Sequence, residues 1–421
     1  LSLSSGNILP YIQMYTGDVC AINFGQKPFK FPPPAGFQPL TLANTPRPTI
    51  VRPDQYVGIS TWSGDGNTSA RAINVEWKPD FVWLKNRTSA YSNLLYDSVR
   101  GVGENKGLQS NTTNAEGGTS DNSTFGYLSS LDTTGFSVIK GSDATSYTNG
   151  SSNNYVAWCW KAGGEIGVGR SVMINDVGYA TTTAAGLTAG NSNLVTGASV
   201  NTKSGFSIIT YSSSTTPNIP HGLGRNVSFI IAKSRTVGVD WVVYHRSLGK
   251  DKLLVLNGTS GELSVSNYWG TSEPNDTVFG TYGTGSNSNN QGNMVAYCWA
   301  EIPGFSKFGS YSGNSSADGV YVATGFKPRW LLVKKSSSTG NERGWVLVDS
   351  ERSKFNVSNL TLFPHASSAE DAGTYIAVDF LSNGFKLRST EEAANASYTY
   401  IYACFAETPS FNLYGAMSNA R

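Results

Sequence analysis

The chain has 421 residues, with 31 Lys and Arg against 29 Asp and Glu, so the formal net charge is +2. Charged residues make up only 14% of the chain, and Lys and Arg form no cluster. Phosphate backbones require concentrated positive charge, so a nucleic-acid partner is not expected. No run approaches the roughly 18 apolar residues of a membrane helix, and membrane insertion is not expected either. The first residue is not Met, and we expect the sequence to begin within a longer protein.

The opening segment is dense in proline. Pro32, Pro33 and Pro34 are consecutive, and Pro39, Pro46, Pro48 and Pro53 follow. Such density favours an extended backbone. We therefore expect a lead between two folded units.

Three later stretches of the chain repeat the same order of strand-like runs. Apolar runs closed by a lysine occur at 81–85, 229–233 and 330–334, and a second apolar run follows each about ten residues later. Each copy ends in an aromatic strand that contains a cysteine, namely Cys159, Cys298 and Cys404. Copies of about a hundred residues exceed the roughly 20 to 50 residues of a solenoid unit, so each copy is interpreted as a domain.

The cysteine of each repeat is predicted to be a small buried core residue. One cysteine per repeat cannot form a disulfide within that repeat, and a pair between repeats would leave one over. No C-x-x-C and no regularly spaced histidines occur, so neither a metal site nor a cofactor is expected.

The secondary structure is predicted to be β almost throughout. Short runs rich in β-branched and aromatic residues, such as 206–211 and 320–322, are bounded by Gly, Asn, Ser or Asp. Many short strands of this kind are typical of sandwiches and jelly rolls. We therefore predict an all-β fold of tandem, jelly-roll-like β-sandwich domains in an elongated array.

The domain boundaries follow from the repeats and from composition. Residues 165–203 are rich in Gly, Ala, Thr and Asn and carry little apolar content, which predicts a linker or an arm between subunits. The predicted organisation is a lead at 1–50, repeat 1 at 51–164, the linker at 165–203, repeat 2 at 204–303 and repeat 3 at 304–421.

Two resemblances add to this interpretation. Residues 17–20, 23–29 and 34–37 resemble the closing strands of a SPRY domain, of which only the C-terminal end would be present within residues 1–50. The rest of the chain is similar to tandem-repeat tail proteins of marine and cyanobacterial phages. That similarity is carried by residues 300–311, 324–330, 379–388 and 418–421. It implies a virion fibre or tail-associated protein, often oligomeric, without an assigned enzymatic activity.

Catalytic residues are not expected. The three histidines, His221, His245 and His365, lie far apart and have no Ser or Cys elbow nearby. The acid pairs 370–371 and 391–392 could in principle serve a glycosidase, but neighbouring acids point to opposite sides of a strand or lie on a solvated loop. Asp65-Gly66-Asn67 resembles a fragment of a calcium loop, and turn formation explains it.

Two tryptophans are the candidate ligand-binding residues. Trp62 and Trp269 lie beside turn residues and, in the sequence, outside the repeated pattern. A ring at such a position could stack on a sugar. Burial in a core is the competing interpretation. The basic residues that recur in the repeats are instead predicted to stabilise the fold. A Lys or Arg would form an ion pair with an acid such as Asp97 or Asp349.

These observations lead to one functional expectation with two alternatives. The expected function is that of a non-enzymatic tail fibre or adhesin in a phage virion. It would be made in the cytoplasm of the bacterial host and would form a homotrimer. The trimer would bind other tail proteins of the virion and would attach to glycan or another receptor on the host surface. The alternatives are a structural tail protein that acts as a spacer or decoration, and a tailspike that depolymerises glycan.

Overall fold

The computed structural model describes residues 48–410, except 216, 284, 339, 342 and 374, together with 17, 19, 29–32, 418 and 419. The chain divides into two compact units, Leu1–Arg47 and Pro48–Arg421. The predicted SPRY-like end falls almost wholly outside the described residues. All three repeats lie within the second unit.

The described residues form strands and two 3₁₀ turns, at Pro53–Gln55 and Ser192–Leu194. Repeat 1 contains β1 (Val57–Ser63), β2 (Arg71–Asn74), β3 (Phe81–Asn86), β4 (Leu94–Asp97), β5 (Leu108–Gln109), β6 (Tyr127–Asp132), β7 (Gly135–Ile139) and β8 (Asn154–Trp160). The next strands are β9 (Val172–Ile174), β10 (Val177–Tyr179), β11 (Val195–Asn201), β12 (Phe206–Ser212), β13 (Asn218–Pro220), β14 (Val227–Ser234), β15 (Val242–His245), β16 (Lys252–Val255), β17 (Leu263–Ser264), β18 (Val278–Gly280) and β19 (Asn293–Ala300). Repeat 3 contains β20 (Ser306–Ser312), β21 (Tyr321–Ala323), β22 (Phe326–Lys335), β23 (Val346–Asp349), β24 (Leu360–Thr361), β25 (Asp371–Ala372), β26 (Val378–Leu381), β27 (Gly384–Leu387) and β28 (Thr399–Pro409). No helix among the described residues is long and apolar enough to cross a lipid bilayer.

Each repeat is a sandwich of a large sheet and a small one. The large sheets share one strand order, which is β1-β8-β3-β4 in repeat 1, β12-β19-β14-β15 in repeat 2 and β20-β28-β22-β23 in repeat 3. The small sheets are β2-β7-β6, β13-β18 and β21-β27-β26. Apolar side chains of the small sheet, such as Phe136 and Val138 in repeat 1, share a core with one face of the large sheet. The predicted all-β, sandwich-like fold is confirmed.

The large sheets are buried on both faces. In β8, Tyr155, Ala157 and Cys159 belong to the core inside repeat 1, whereas Trp158 and Trp160 on the other face belong to a second, central core. The strand sequence is therefore continuously apolar rather than alternating, because successive residues point to opposite faces and both faces are covered.

The central core is shared by all three repeats. The ring centroid of Trp160 lies 6.1 Å from that of Trp299 in repeat 2 and 5.4 Å from that of Trp330 in repeat 3. Phe81 of repeat 1 lies 4.4 Å from Tyr297 of repeat 2. The expected elongated array is not confirmed, because a common core of this kind requires the three large sheets to face one another.

Residues 165–203 contribute strands instead of a linker. β11 pairs with β12, and β9 and β10 extend the same sheet to nine strands. Val172, Leu187 and Val200 are buried against repeat 2. The linker prediction was wrong because it counted apolar residues over the whole segment, whereas a few valines and a leucine suffice for strands at the edge of an existing sheet.

The repeated cysteines occupy equivalent positions. Cys159, Cys298 and Cys404 are fully buried and free, and each lies on the face of the closing strand that is turned to its own small sheet. Burial raises the pKa of all three thiols. The prediction of three equivalent buried cysteines is confirmed.

The repeated lysines join neighbouring repeats in a cycle. The ammonium group of each is buried and donates to carbonyl oxygens of its own loop and of one other repeat. The contacts between repeats are Lys85 to Ser367 at 2.9 Å, Lys233 to Thr113 at 3.0 Å and Lys334 to Thr259 at 2.9 Å. Burial lowers the pKa of Lys85 to about 7 and that of Lys233 to about 8. Repeat 1 thus contacts repeat 3, repeat 2 contacts repeat 1, and repeat 3 contacts repeat 2.

An ion cluster reinforces the junction of repeats 1 and 2. Arg100 Nε lies 2.5 Å from Asp97, as expected for a basic residue that closes onto an acid, and Tyr297 of repeat 2 donates its hydroxyl to the same carboxylate at 2.7 Å. Glu116 accepts from Arg235 of repeat 2 at 2.7 Å. The Asp97–Arg100 pair is fully buried, and the desolvation of its charges is offset by these further hydrogen bonds.

The junction of repeats 3 and 1 carries the same cluster. Arg352 Nε lies 2.5 Å from Asp349, and the indole of Trp158 in repeat 1 donates to that carboxylate at 2.9 Å. Glu370 accepts from Arg352 at 2.8 Å and from Arg87 of repeat 1 at 2.7 Å. Glu370, one of the acids considered for a glycosidase, therefore has a structural role.

The junction of repeats 2 and 3 has lost this cluster. His245 and Leu248 stand where the other repeats have Asp and Arg, and Ser336 stands where they have Arg87 and Arg235. His245 Nε2 lies 3.1 Å from the carbonyl oxygen of Tyr402, while its Nδ1 accepts from a backbone N–H. A neutral imidazole thus takes the place of the buried Asp–Arg pair at this junction.

Thiol labelling tests the equivalence of the cysteines. In a Cys20→Ser background we expect Cys159, Cys298 and Cys404 to react with a maleimide only at the rate of global unfolding, because native strands cover all three. The measurement is mass spectrometry over time, with and without denaturant. Rapid labelling of any one of them in buffer would show that its repeat opens separately.

A pair of variants tests the ion cluster at the junction of repeats 3 and 1. Arg352→Leu is expected to lower the free energy of unfolding by about 3 to 5 kcal/mol, since it leaves a buried carboxylate without its cation. The double variant Asp349→His with Arg352→Leu copies the residues of repeat 2 and is expected to recover part of that loss. Urea denaturation measures both. Equal losses in the two variants would contradict the argument.

Candidate functional site

The two tryptophans predicted as ligand-binding residues are buried. Trp62 is stacked on Tyr155 with a centroid distance of 5.4 Å, and its indole donates to the carbonyl oxygen of Thr148 at 3.0 Å. Trp269 is fully buried and donates to the carbonyl oxygen of Lys252 at 3.0 Å. Neither ring can stack on a sugar, so this prediction is corrected. Trp62 also belongs to the repeated pattern, because its strand position corresponds to that of Tyr211 in repeat 2.

The histidines have structural surroundings. His221 is buried, and its Nε2 lies 3.0 Å from the carbonyl oxygen of Asn275. Burial lowers the pKa of His221, His245 and His365 to about 4 in each case. All three are therefore neutral at pH 7 and are not brought together.

The suspected calcium-loop fragment is a turn. Asp65 Oδ1 accepts from the backbone N–H of Asn67 at 2.8 Å and from the side-chain amide of Asn149 at 2.7 Å. Gly66 has a φ of +73°, which the turn requires. Between residues 48 and 410, with the gaps given above, no group of three or more His, Cys, Asp or Glu is arranged to hold a metal ion.

A cleft of about 300 Å³ lies beside the first strand of repeat 1. It combines two aromatic rings with charged and amide groups. Its lining residues are Arg52, Asp54, Gln55, Tyr56, Glu76, Trp77 and Lys161. The 3₁₀ turn Pro53–Gln55 brings Asp54 and Gln55 to one side, and the segment after β2 brings Glu76 and Trp77 to the other.

The cleft is held by local hydrogen bonds. The indole of Trp77 donates to the backbone carbonyl of Asp54 at 2.7 Å, and Arg52 lies 2.6 Å from the Asp54 carboxylate. Glu76 has a φ of +74°, which is unusual for a residue other than glycine and fixes the turn before Trp77. Lys203 lies 5.6 Å from the ring centroid of Tyr56. Both rings are half-buried, so each is supported from within and accessible from outside.

The carboxylate in the cleft is suited to accept hydrogen bonds. The hydrogen bond from Arg52 is the main cause that lowers the pKa of Asp54 below its usual value. Asp54 is therefore ionised at neutral pH. A group of this kind can bind hydroxyls or amides but does not supply a proton to a leaving group.

The cleft continues into a second one of about 280 Å³. The two share Asp54 and Glu76, and the second also contains Ser60, Asn74 and Arg329 of repeat 3. Together they form a groove along the edge of repeat 1.

Sequence reasoning did not identify Tyr56 and Trp77. Trp77 precedes β3 by four residues and corresponds to Phe326 in repeat 3, which is fully buried. Its equivalent in repeat 3 is thus a core residue. Only the local packing leaves Trp77 half-exposed, and no feature of the sequence indicates that difference.

The described structure thus defines an all-β protein of three fused sandwiches around a common core, with a polar groove that contains two aromatic rings. The chain belongs to the family described as "Domain of unknown function (DUF7483)", whose model matches residues 52–409. No curated protein and no solved structure matches the chain. The family match covers all three repeats, which agrees with their common core.

Acidification is expected to destabilise the protein through its three neutral histidines. Their pKa of about 4 lies below the ordinary value of 6.5. At these three sites the unfolded chain binds more protons than the folded one, so the stability that the histidines contribute is fully present above pH 6.5 and is lost as the pH drops towards 4.

Each histidine contributes up to about 1.4 kcal/mol per pH unit in this window. His245→Gln should remove the contribution of one histidine to the slope of the free energy of unfolding against pH. The amide of Gln can donate to the Tyr402 carbonyl but does not titrate. Denaturant unfolding at a series of pH values between 7.5 and 4.5 measures the difference from the wild type. An unchanged slope would contradict this role for His245.

Proposed function

We propose that the protein is a tail fibre or adhesin of a phage virion and attaches to glycan on the bacterial host surface. The observation that carries this proposal is the groove in which Tyr56 and Trp77 stand beside Arg52, Asp54 and Gln55. Aromatic rings stack on the apolar faces of sugars, and neighbouring amides and carboxylates bind sugar hydroxyls. The resemblance of the repeats to phage tail proteins supplies the biological setting.

The low charge of the protein supports a neutral ligand. Charged residues form 14% of the chain, so attraction to ionic partners is not the main driving force. Single glycan contacts are weak, but several copies of a site on one particle bind with strong avidity. The proposal therefore includes a homotrimer that is joined to other tail proteins.

Binding without cleavage is the favoured form of this proposal. Glycosidases use two opposed carboxyl groups, one of which has a raised pKa and donates a proton. In the groove the pKa of Asp54 is lowered. Glu370 and Glu392 are engaged in ion pairs with Arg352 and Lys335. A depolymerising tailspike would need a different acid.

A structural role is the second candidate. The cyclic junctions and the common core favour a stiff body, which suits a spacer or decoration of the tail. The two candidates differ in whether the groove is needed for attachment.

Variants of Trp77 test attachment. We expect the purified protein to be retained on host cells, and Trp77→Ala to weaken retention at least tenfold because the stacking surface is lost. Trp77→Phe keeps an aromatic face and should retain most of the binding, while Tyr282→Ala, at an exposed tyrosine elsewhere, should have no effect. A pull-down with host cells gives the retained fraction.

Cleavage is followed in the same samples by an assay for new reducing ends, and none are expected. Retention that is indifferent to Trp77→Ala would remove the groove from the proposal. No retention of the wild type would favour the spacer. Reducing ends that disappear on substitution of one Asp or Glu would establish the tailspike.

A further inference from the structure

A second, smaller cleft lies in repeat 3, separate from the groove at Tyr56 and Trp77. Its volume is about 100 Å³. One wall is apolar, and the rim carries polar groups. The lining residues are Arg343, Gly344, Val346, Phe363, His365, Ala366, Ser368, Tyr375 and Ala393.

The loop that forms this cleft is fixed by repeat 1. Asn93 donates to the carbonyl oxygens of Phe363 and Ala366 at 3.2 and 3.1 Å, and Lys85 donates to that of Ser367 at 2.9 Å. The shape of the cleft is therefore set by the junction and is present before any ligand arrives. A preformed site loses little conformational entropy on binding.

His365 presents an unused acceptor in this cleft. Its Nδ1 is buried and has no hydrogen-bond partner among the described residues. Burial lowers the pKa of His365 to about 4, so the imidazole is neutral at pH 7, and in the tautomer protonated at Nε2 its Nδ1 is an acceptor that lacks a donor. A buried acceptor without a partner costs roughly 1 to 3 kcal/mol, which a ligand N–H or O–H would recover.

The other repeats show that the fold does not require this arrangement. Asn111 and Asn257 occupy the position of His365, three residues after the equivalent leucines. Asn111 Oδ1 accepts from the backbone N–H of Asn93 at 3.0 Å, and Asn257 Oδ1 accepts from that of Trp241 at 2.8 Å. The two asparagines are satisfied within the protein, whereas His365 departs from the pattern and leaves its acceptor unused.

We propose that this cleft binds the acetamido group of an N-acetylated hexosamine. The acetamido N–H would donate to His365 Nδ1, its carbonyl oxygen would accept from the Arg343 guanidinium, and its methyl group would pack against Val346 and Phe363. Arg343 is anchored by Glu392 at 3.3 Å. This inference rests on the proposed attachment to glycan and specifies the sugar.

The size and rim of the cleft favour a sugar that inserts only this substituent. The cleft has a volume of about 100 Å³, against about 300 Å³ for the one at Tyr56 and Trp77, which suits a substituent such as an acetamido group better than a whole hexose. Tyr375 stands at the rim, 39% exposed, with its ring centroid 4.9 Å from that of Phe363. Its free face can stack on the pyranose ring that remains outside.

The test compares N-acetylglucosamine with glucose in titrations followed by NMR of the full chain. We expect N-acetylglucosamine to bind at least tenfold more tightly than glucose. His365→Asn restores the residue of the other repeats, so it should fold normally and weaken N-acetylglucosamine binding at least tenfold. Tyr375→Ala should weaken it as well. Tyr321→Ala removes another exposed tyrosine of repeat 3 and should have no effect.

Equal affinity for the two sugars, or undiminished affinity in His365→Asn, would overturn the proposal. Tighter binding of an Nε-acetyl-lysine peptide would assign the cleft to acetylated protein and would also overturn it. Tyr282→Ala, at an exposed tyrosine outside both sites, is titrated in parallel and should bind N-acetylglucosamine as the wild type does. If the protein does not attach to cells but prefers N-acetylglucosamine in the titration, only the proposed function is refuted. If it attaches to cells but shows no preference for N-acetylglucosamine, only the assignment of the sugar is refuted.

Discussion

The structure depends on burial of both faces of each large sheet. One face packs on the small sheet of its own repeat, and the other packs on the large sheets of its two neighbours. A sandwich with one such sheet would leave a wide apolar face in water, which soluble domains rarely expose. The central face is closed by rings such as Trp160, Trp299 and Trp330, whose indole nitrogens have no hydrogen-bond partner among the described residues. Their edge-to-face contacts place ring edges on ring faces, where an N–H group can interact with a π system.

The polar residues at the junctions follow from this packing. Three sheets that face a common centre bring the lysine that ends each first apolar run against a loop of the neighbouring repeat, and the loop carbonyls there need donors. Lys85, Lys233 and Lys334 supply them. Two junctions add a buried Asp–Arg pair and the third uses His245, so the requirement is hydrogen bonding and not charge. This tolerance is consistent with the small net benefit of buried ion pairs over neutral groups.

Both candidate sites lie where one repeat departs from the others. Trp77 is half-exposed although its equivalent in repeat 3, Phe326, is buried. His365 Nδ1 has no hydrogen-bond partner among the described residues, whereas the side-chain oxygens of Asn111 and Asn257 each accept a backbone hydrogen bond. The repeated residues are constrained by the core and the junctions, so they are not available for a ligand. Positions at which one repeat differs from the others are not under that constraint. The junctions supply the rigid surroundings that a binding site needs.

The sequence by itself determined the strands, the threefold repeat, the buried cysteines and the closure of Arg100 and Arg352 onto acids, because these depend on local patterning and on spacing along the chain. Only the tertiary structure decided that the repeats surround one core, that residues 165–203 complete a sheet, and that Trp62 and Trp269 are buried while Tyr56 and Trp77 share a groove. A continuously apolar strand predicts two covered faces but does not say what covers the second one. The exposure of a single ring depends on neighbours that are distant in sequence, and their positions are fixed only when the three sheets pack together.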